Sequence, residues 1–267
     1  MASWERGKMD RELKNMAIDA IAPTLPKDGL GATQRRDSWW LSPLAVAVGL
    51  GLFGVYSSWA AFQGNYYRTG PYLSPFYSPL FLFDWWNFSP AFLILWAPLG
   101  FRLTCYYYRK AYYRAYFLDP PACSVGEPCA RHYRGETAFP WILQNLHRYF
   151  LVLAILFVIV LAYDAVCALV FDGAFGIGIG SLIMLVNVIL LSLYTFSCHS
   201  LRHLVGGRLD CFAEAALGGV RYWVWRRVSA LNRRHTLWAW LSLFQVGFTD
   251  IYIRLVAMGY LIDVRLL

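Results

Sequence analysis

Charge is what this sequence has least of. Asp, Glu, Lys and Arg together make up 15% of the 267 residues, against about 25% in an ordinary soluble domain. Apolar residues reach 58% and aromatics 18%. That balance excludes a solvated globular domain and predicts an integral membrane protein. The first 40 residues lack the apolar core of a cleavable secretory signal, so a polar N-terminal arm is expected there. No internal repeat is visible, which argues against an inverted-repeat transporter. Acids are few, 16 against 24 Lys and Arg, giving a net charge of +8. The bases nevertheless gather beside apolar segments and form no tail interleaved with stacking aromatics. Nucleic acid is therefore not an expected partner; the headgroups of a bilayer are.

What is present is organised around one run. From His147 to Phe171 the chain reads HRYFLVLAILFVIVLAYDAVCALVF, long enough at roughly 1.5 Å per residue to cross a hydrocarbon core of about 30 Å. Further spans are predicted at about 43–63, 90–108, 174–197 and 237–258, with Pro98 expected to kink the second. The fold class is all-α, a membrane bundle of five transmembrane helices. Residues 1–40 form a cytoplasmic arm with an amphipathic helix at 3–21, and residues 41–267 form the anchor domain. Residues 64–89, 109–146 and 198–236 read as loops, and Asp172-Gly173 as a tight turn. Glycines at 173, 176, 178 and 180 are expected to allow close packing beside that turn.

Orientation follows from the bases. Residues 1–40, 101–148 and 198–236 each hold seven Lys or Arg, whereas the opposite side holds only Arg68, Arg254 and Arg265. The N-terminus is thus expected inside and the C-terminus outside. On this topology His132, His147, His199, His203 and His235 all lie on the inner side, with Cys105, Cys123, Cys129, Cys198 and Cys211; only Cys167 lies toward the outside. Three span ends, at Cys105, His147 and Cys198, can converge there. His199 and His203 are spaced i,i+4, which puts both rings on one helix face. Mixed Cys and His ligands suit zinc or an iron–sulfur centre, and a set of two Cys and two His is the Rieske pattern. The plain alternative is that histidines at helix ends cap carbonyls or anchor at headgroups. Haem b would need facing histidines, for which His147 with His199 or His203 would serve; the outer half has no histidine for a second haem.

A second group lies deeper in the predicted spans: Tyr163, Asp164, Gln245, Asp250 and Arg254. Intramembrane charge is costly and suggests function. A proton path, an outer quinone pocket or a transporter pathway is one reading, and a structural ion pair between Asp250 and Arg254 is the other. Arg102, Arg109, Lys110 and Arg114 suit docking of an acidic partner face or lipid headgroups.

Three runs carry a resemblance to a known family: FRLTCYYYRKAYYRAYFLDPPAC at 101–123, GETAFPWILQNLHRYF at 135–150 and FSCHSLRHLVGGRLD at 196–210. From about Trp39 onward the chain resembles the single membrane-anchor subunit of actinobacterial succinate dehydrogenase. The resemblance implies a flavoprotein partner that oxidises succinate and an iron–sulfur partner that passes electrons to this anchor. It further implies a quinone acceptor, menaquinone, in a bacterial plasma membrane, and a complex that is a candidate for higher oligomers. It also implies a membrane-embedded Rieske-like [2Fe–2S] centre in place of the haem b of other five-span anchors. A cofactor-free structural anchor is the remaining alternative. Cys105, Cys123, Cys129, His147, Cys198, His199 and His203 are the candidate ligands. The family pattern has a histidine after the Glu-Pro that here precedes Cys129, so His132 is a further candidate.

Overall fold

The computed structural model describes residues 29–128, 137, 139, 141–207, 209 and 211–267. The expected amphipathic helix at 3–21 lies outside the described residues. The chain runs through α1 (Leu41–Gln63), a small hairpin of β1 (Arg68–Thr69) and β2 (Tyr72–Leu73), and a 3-10 turn at Pro90–Leu93. Then come α2 (Trp96–Leu103) and α3 (Tyr106–Phe117), and a 3-10 segment at Trp141–Leu146 that leads into α4 (His147–Cys167). A second hairpin pairs β3 (Val170–Phe171) with β4 (Ala174–Phe175). It is followed by α5 (Ile179–Phe196), α6 (His199–Gly206), a 3-10 turn at Phe212–Glu214, α7 (Gly218–Asn232) and α8 (His235–Ala257).

Among the described residues three helices are long and apolar enough to cross a membrane: Leu41–Gln63, Ile142–Cys167 and Ile179–Phe196. α8 matches them in length with 23 residues but carries Asp250 and Arg254 within its sequence. α4 is apolar almost all round, so packing and not polarity selects its inner face. In α4 that face is Leu151, Ala154, Val158, Leu161 and Ala165, an i,i+3,i+4 stripe. Val152, Leu156, Ile159 and Val166 point outward and are exposed, as side chains facing lipid would be.

Two expectations need correction. The segment 90–108 is not one kinked helix. It is a 3-10 turn, the eight-residue α2, and a break at Thr104–Cys105 before α3. Pro98 sits in the first turn of α2, where a missing N–H leaves no bond unmade, so it starts that helix instead of bending a longer one. The break comes where Thr104 closes back on its own helix, its hydroxyl donating to the Gly100 carbonyl at 2.7 Å. Nor is 198–236 a loop: α6 and α7 occupy most of it.

The chain divides into two compact units. The first comprises residues up to 47 and 112–133, so it adds part of the 109–146 segment to the expected arm. Within it Arg114 grips Glu127 through two bonds of 2.6 and 2.9 Å, and Thr33 pairs with Val125 in an isolated bridge. The second unit, residues 48–111 and 134–267, holds the bundle.

Inside the second unit residues 72–78 of the 64–89 segment form a plug, whereas most of 81–88 is exposed as a surface loop would be. Tyr72, Ser74, Phe76, Tyr77 and Ser78 are buried. Irregular backbone at this depth is tolerated only when protein surrounds it and satisfies its polar groups. Tyr77 does part of that work: its hydroxyl donates to the Ala60 carbonyl at 2.8 Å and accepts from the Gly64 amide at 3.1 Å.

The Asp172-Gly173 turn forms as expected, with φ of 51° and 86°, values that suit a two-residue hairpin. The glycines after it make room for Tyr72 of the plug. A Cβ on Gly180 would stand 2.6 Å from the Tyr72 ring. Tyr72 in turn donates to Asp263 at 2.6 Å, and Asp263 also accepts from the Gly180 amide at 3.0 Å and from Tyr252 at 2.6 Å. Gly180→Ala is therefore expected to displace a buried ring and cost about 1–3 kcal/mol, read as a lower melting temperature of the solubilised protein.

Candidate metal centre and adjoining cavity

At one end of the bundle four chain segments bring thiols and imidazoles together. Cys105 stands in the break between α2 and α3, and Cys198 follows the last turn of α5. His147 is the first residue of α4 and His235 the first of α8. Cys105, Cys198 and His235 are each no more than 2% exposed, and His147 is half-buried. His147 Nε2 lies 3.2 Å from Cys198 Sγ, and His235 Nε2 lies 3.5 Å from Cys105 Sγ. The two pairs are neighbours: Thr104, beside Cys105, contacts His147, and Ser197, beside Cys198, contacts His235.

Each ring is held on its other side. Thr104 Oγ1 lies 2.9 Å from His147 Nδ1, and Ser197 Oγ lies 2.6 Å from His235 Nδ1. Aromatic faces fix the ring planes. Phe101 stacks on His147 at 4.7 Å with planes 5° apart, and Tyr194 stacks on His235 at 5.1 Å. Burial favours the neutral form of every member. It pushes the Cys198 thiol up to about 11.

Among the described residues no group of three or more His, Cys, Asp or Glu side chains is gathered closely enough for a single metal ion. The donors come instead as two Cys–His pairs. That arrangement does not suit a mononuclear zinc site, which closes four ligands on one point.

Of the residues singled out from sequence, Cys105, His147 and Cys198 are brought together. His199 and His203 are not part of the buried group. They are exposed on α6 and face each other, Nε2 to Nε2 at 3.0 Å. The backbone explains the split. Cys198 is extended, with φ −63° and ψ 137°, and α6 starts immediately after it, so adjacent side chains leave in opposite directions. Cys123 belongs to the first unit, where it is exposed and its carbonyl accepts from Arg35 at 3.1 Å. Cys129 and His132 lie outside the described residues. The residue missed from sequence is His235. Its signal was available: like His147, it opens a helix that starts in the same layer.

The deeper polar residues fall into separate sites. Asp250 and Arg254 form a buried i,i+4 pair with Nε to Oδ2 at 2.7 Å. Asp250 also accepts from Tyr56 at 2.5 Å and from Ser74. Arg254 donates to the carbonyls of Asn65 at 3.0 Å and Ala60 at 2.9 Å. Asp164 accepts from Ser78, Tyr163 is exposed, and Gln245 donates to the Ile183 carbonyl at 3.3 Å. These contacts tie the plug, α1, α5 and α8 into one body.

Beside the Cys–His group lies a cavity of about 440 Å³ with mostly apolar walls, among them Phe53, Phe76, Leu95 and Phe157. Phe101 and Tyr194 line it and also stack on the two imidazoles. Arg102 lines it too, held by Tyr108 at 2.5 Å and Ser242 at 3.2 Å, with its guanidinium carbon 4.8 Å from the Tyr194 ring centre. The Tyr194 hydroxyl is buried beside the Cys105 thiol and has no other partner among the described residues.

Comparison with known proteins gives two matches. Residues 41–259 match the family model described as actinobacterial succinate dehydrogenase subunit SdhC. A chain of a solved structure, the Mycobacterium smegmatis Sdh1 complex in the apo form, is 44% identical. That similarity covers 91% of this chain and 97% of the other, with a TM-score of 0.78. No curated protein is matched.

Proposed function

The chain belongs to the family of actinobacterial succinate dehydrogenase SdhC subunits, and from that premise we propose that it anchors a succinate:quinone oxidoreductase and relays its electrons to quinone. The chain carries no succinate-oxidising site. A flavoprotein subunit oxidises succinate, and an iron–sulfur subunit docks on the inner face and hands over electrons. The anchor is a multi-pass protein of a bacterial plasma membrane with its N-terminus inside. Its five crossings are α1, the composite segment 90–103, α4, α5 and α8.

One observation carries the relay: Cys105, His147, Cys198 and His235 converge from four segments beside an apolar cavity. These four would hold a [2Fe–2S] centre. When bound, that centre supplies a one-electron carrier whose potential depends on ligand charge, hydrogen bonds and burial. The chain's residues do the rest. The aromatic and aliphatic walls take the quinone ring and exclude water. Arg102 presents a fixed positive charge at the wall shared with Phe101 and Tyr194, where a quinone oxygen gaining electrons is stabilised. On this reading the quinone, menaquinone by family, occupies the 440 Å³ cavity, and Asp250 and Arg254 have a structural role.

A haem b anchor is less well supported. His147 and His235 each face a thiol, and His199 and His203 face one another on an exposed helix.

The test is composition. Iron and acid-labile sulfide are expected beyond what the partner subunits' clusters explain, and the reduced-minus-oxidised optical spectrum is expected to lack a Soret band. A b-type haem spectrum would overturn the cofactor assignment. Zinc or no metal would leave the anchor and remove the relay.

A further inference from the structure

Each of the two histidines has a hydroxyl at Nδ1 and a thiol at Nε2. Thr104 has one hydroxyl proton, and it is committed to the Gly100 carbonyl at 2.7 Å. Its oxygen can therefore only accept from His147 Nδ1 at 2.9 Å. Ser197 repeats the arrangement: its proton goes to the Tyr194 carbonyl at 3.0 Å, so its oxygen accepts from His235 Nδ1 at 2.6 Å. A neutral imidazole carries one N–H. With that proton on Nδ1, Nε2 keeps its lone pair in both rings.

We propose that Thr104 and Ser197 are positioning residues that hold His147 and His235 as Nδ1–H tautomers, so that both rings bind the centre through Nε2. This rests on the iron–sulfur reading above. Both Nε2 atoms point at a thiol, His147 at Cys198 and His235 at Cys105. The partner hydroxyl of each ring is supplied by the residue next to a ligating cysteine, Thr104 before Cys105 and Ser197 before Cys198. Each Cys-bearing turn therefore delivers two groups: a sulfur to the centre, and an oxygen to the histidine that faces the other cysteine.

The experiment uses the whole complex, produced with histidine labelled with ¹⁵N at ε2 in one sample and at δ1 in another. Pulsed EPR of the reduced centre reads the strong coupling of a directly bound nitrogen. Strong coupling from the ε2 label and only weak coupling from δ1 is expected. Strong coupling from δ1 overturns the proposal and leaves the centre standing. No coupled nitrogen in either sample sinks the iron–sulfur reading itself.

Variants separate positioning from mere packing. Thr104→Val and Ser197→Ala are each expected to lower iron occupancy by roughly 10–100-fold in affinity or to change the ε2 coupling. Thr104→Ser, which keeps the hydroxyl, is expected to restore the parent spectrum. Thr104→Val and Ser197→Ala spectra and occupancy identical to the parent would overturn the proposal.

Discussion

Replacing His235 with alanine is expected to remove the iron–sulfur centre from the membrane subunit and to lower quinone reduction by more than about 100-fold. Loss of a group that merely supports a ligand already costs 10–100-fold in metal affinity or activity, and His235 is a ligand itself on the reading above. Cys105→Ala should match it, because Cys105 Sγ and His235 Nε2 form one of the two donor pairs, 3.5 Å apart. Oxidation of succinate with a soluble dye as acceptor should persist, since that chemistry lies in the partner flavoprotein. The controls are His199→Ala and His203→Ala. Both side chains are exposed on α6, so both variants should keep the iron, the sulfide and the quinone activity of the parent. The pattern is diagnostic. Loss with His199 or His203 and retention with His235 would move the centre to the outward face of α6 and refute the buried assignment.

Arg254→Ala is expected to destabilise the bundle by about 3–5 kcal/mol, the range for removing one partner of a buried ion pair. The side chains of Arg254 and Asp250 are 3% and 0% exposed. Without the guanidinium, Asp250 stays buried with a charge opposed only by hydroxyls of Tyr56 and Ser74. The Asn65 carbonyl loses its Arg254 donor, and the Ala60 carbonyl is left with Tyr77. Because these partners lie on α1 and the plug, the loss should loosen residues 64–78 from α8. It would be seen as early thermal unfolding and as protease cleavage in that segment. The double variant Asp250→Leu with Arg254→Met removes both charges and should recover much of the stability, since an apolar pair leaves no unpaired charge. A stable Arg254→Ala variant with altered pH dependence of quinone reduction would instead restore the proton-path reading of this pair.

These two experiments mark how far each level of description reaches. The long helices were legible because hydropathy is local: 21 residues from His147 to Cys167 read as a span before any contact is known. The Asp172-Gly173 turn was legible for the same reason, since both residues tolerate positive φ. Where a contact depends on distant segments, local reading failed. The 64–89 segment is rich in Pro, Tyr and Trp and read as a loop, but Tyr77 and Ser74 find partners on α1 and α8 and go inside. The break at Thr104–Cys105 depends on one side-chain bond back to Gly100, which hydropathy does not register.

At the candidate centre, the sequence by itself determined the inventory. It put thiols and imidazoles beside the ends of apolar segments. Three of the four buried donors, Cys105, His147 and Cys198, followed from that. Tertiary structure alone decided the selection. It turned Cys198 inward and His199 outward across a single extended residue. It brought in His235, hidden in sequence behind Arg233 and Arg234, by starting α8 beside the end of α5. It also split the polar residues of the spans, giving Asp250 and Arg254 to a structural clip and Asp164 to Ser78. Span positions are set by the free energy of moving apolar surface out of water, which each segment carries in its own composition. Which side chains meet at a helix end is set by packing between segments far apart in the chain, and no single segment encodes it.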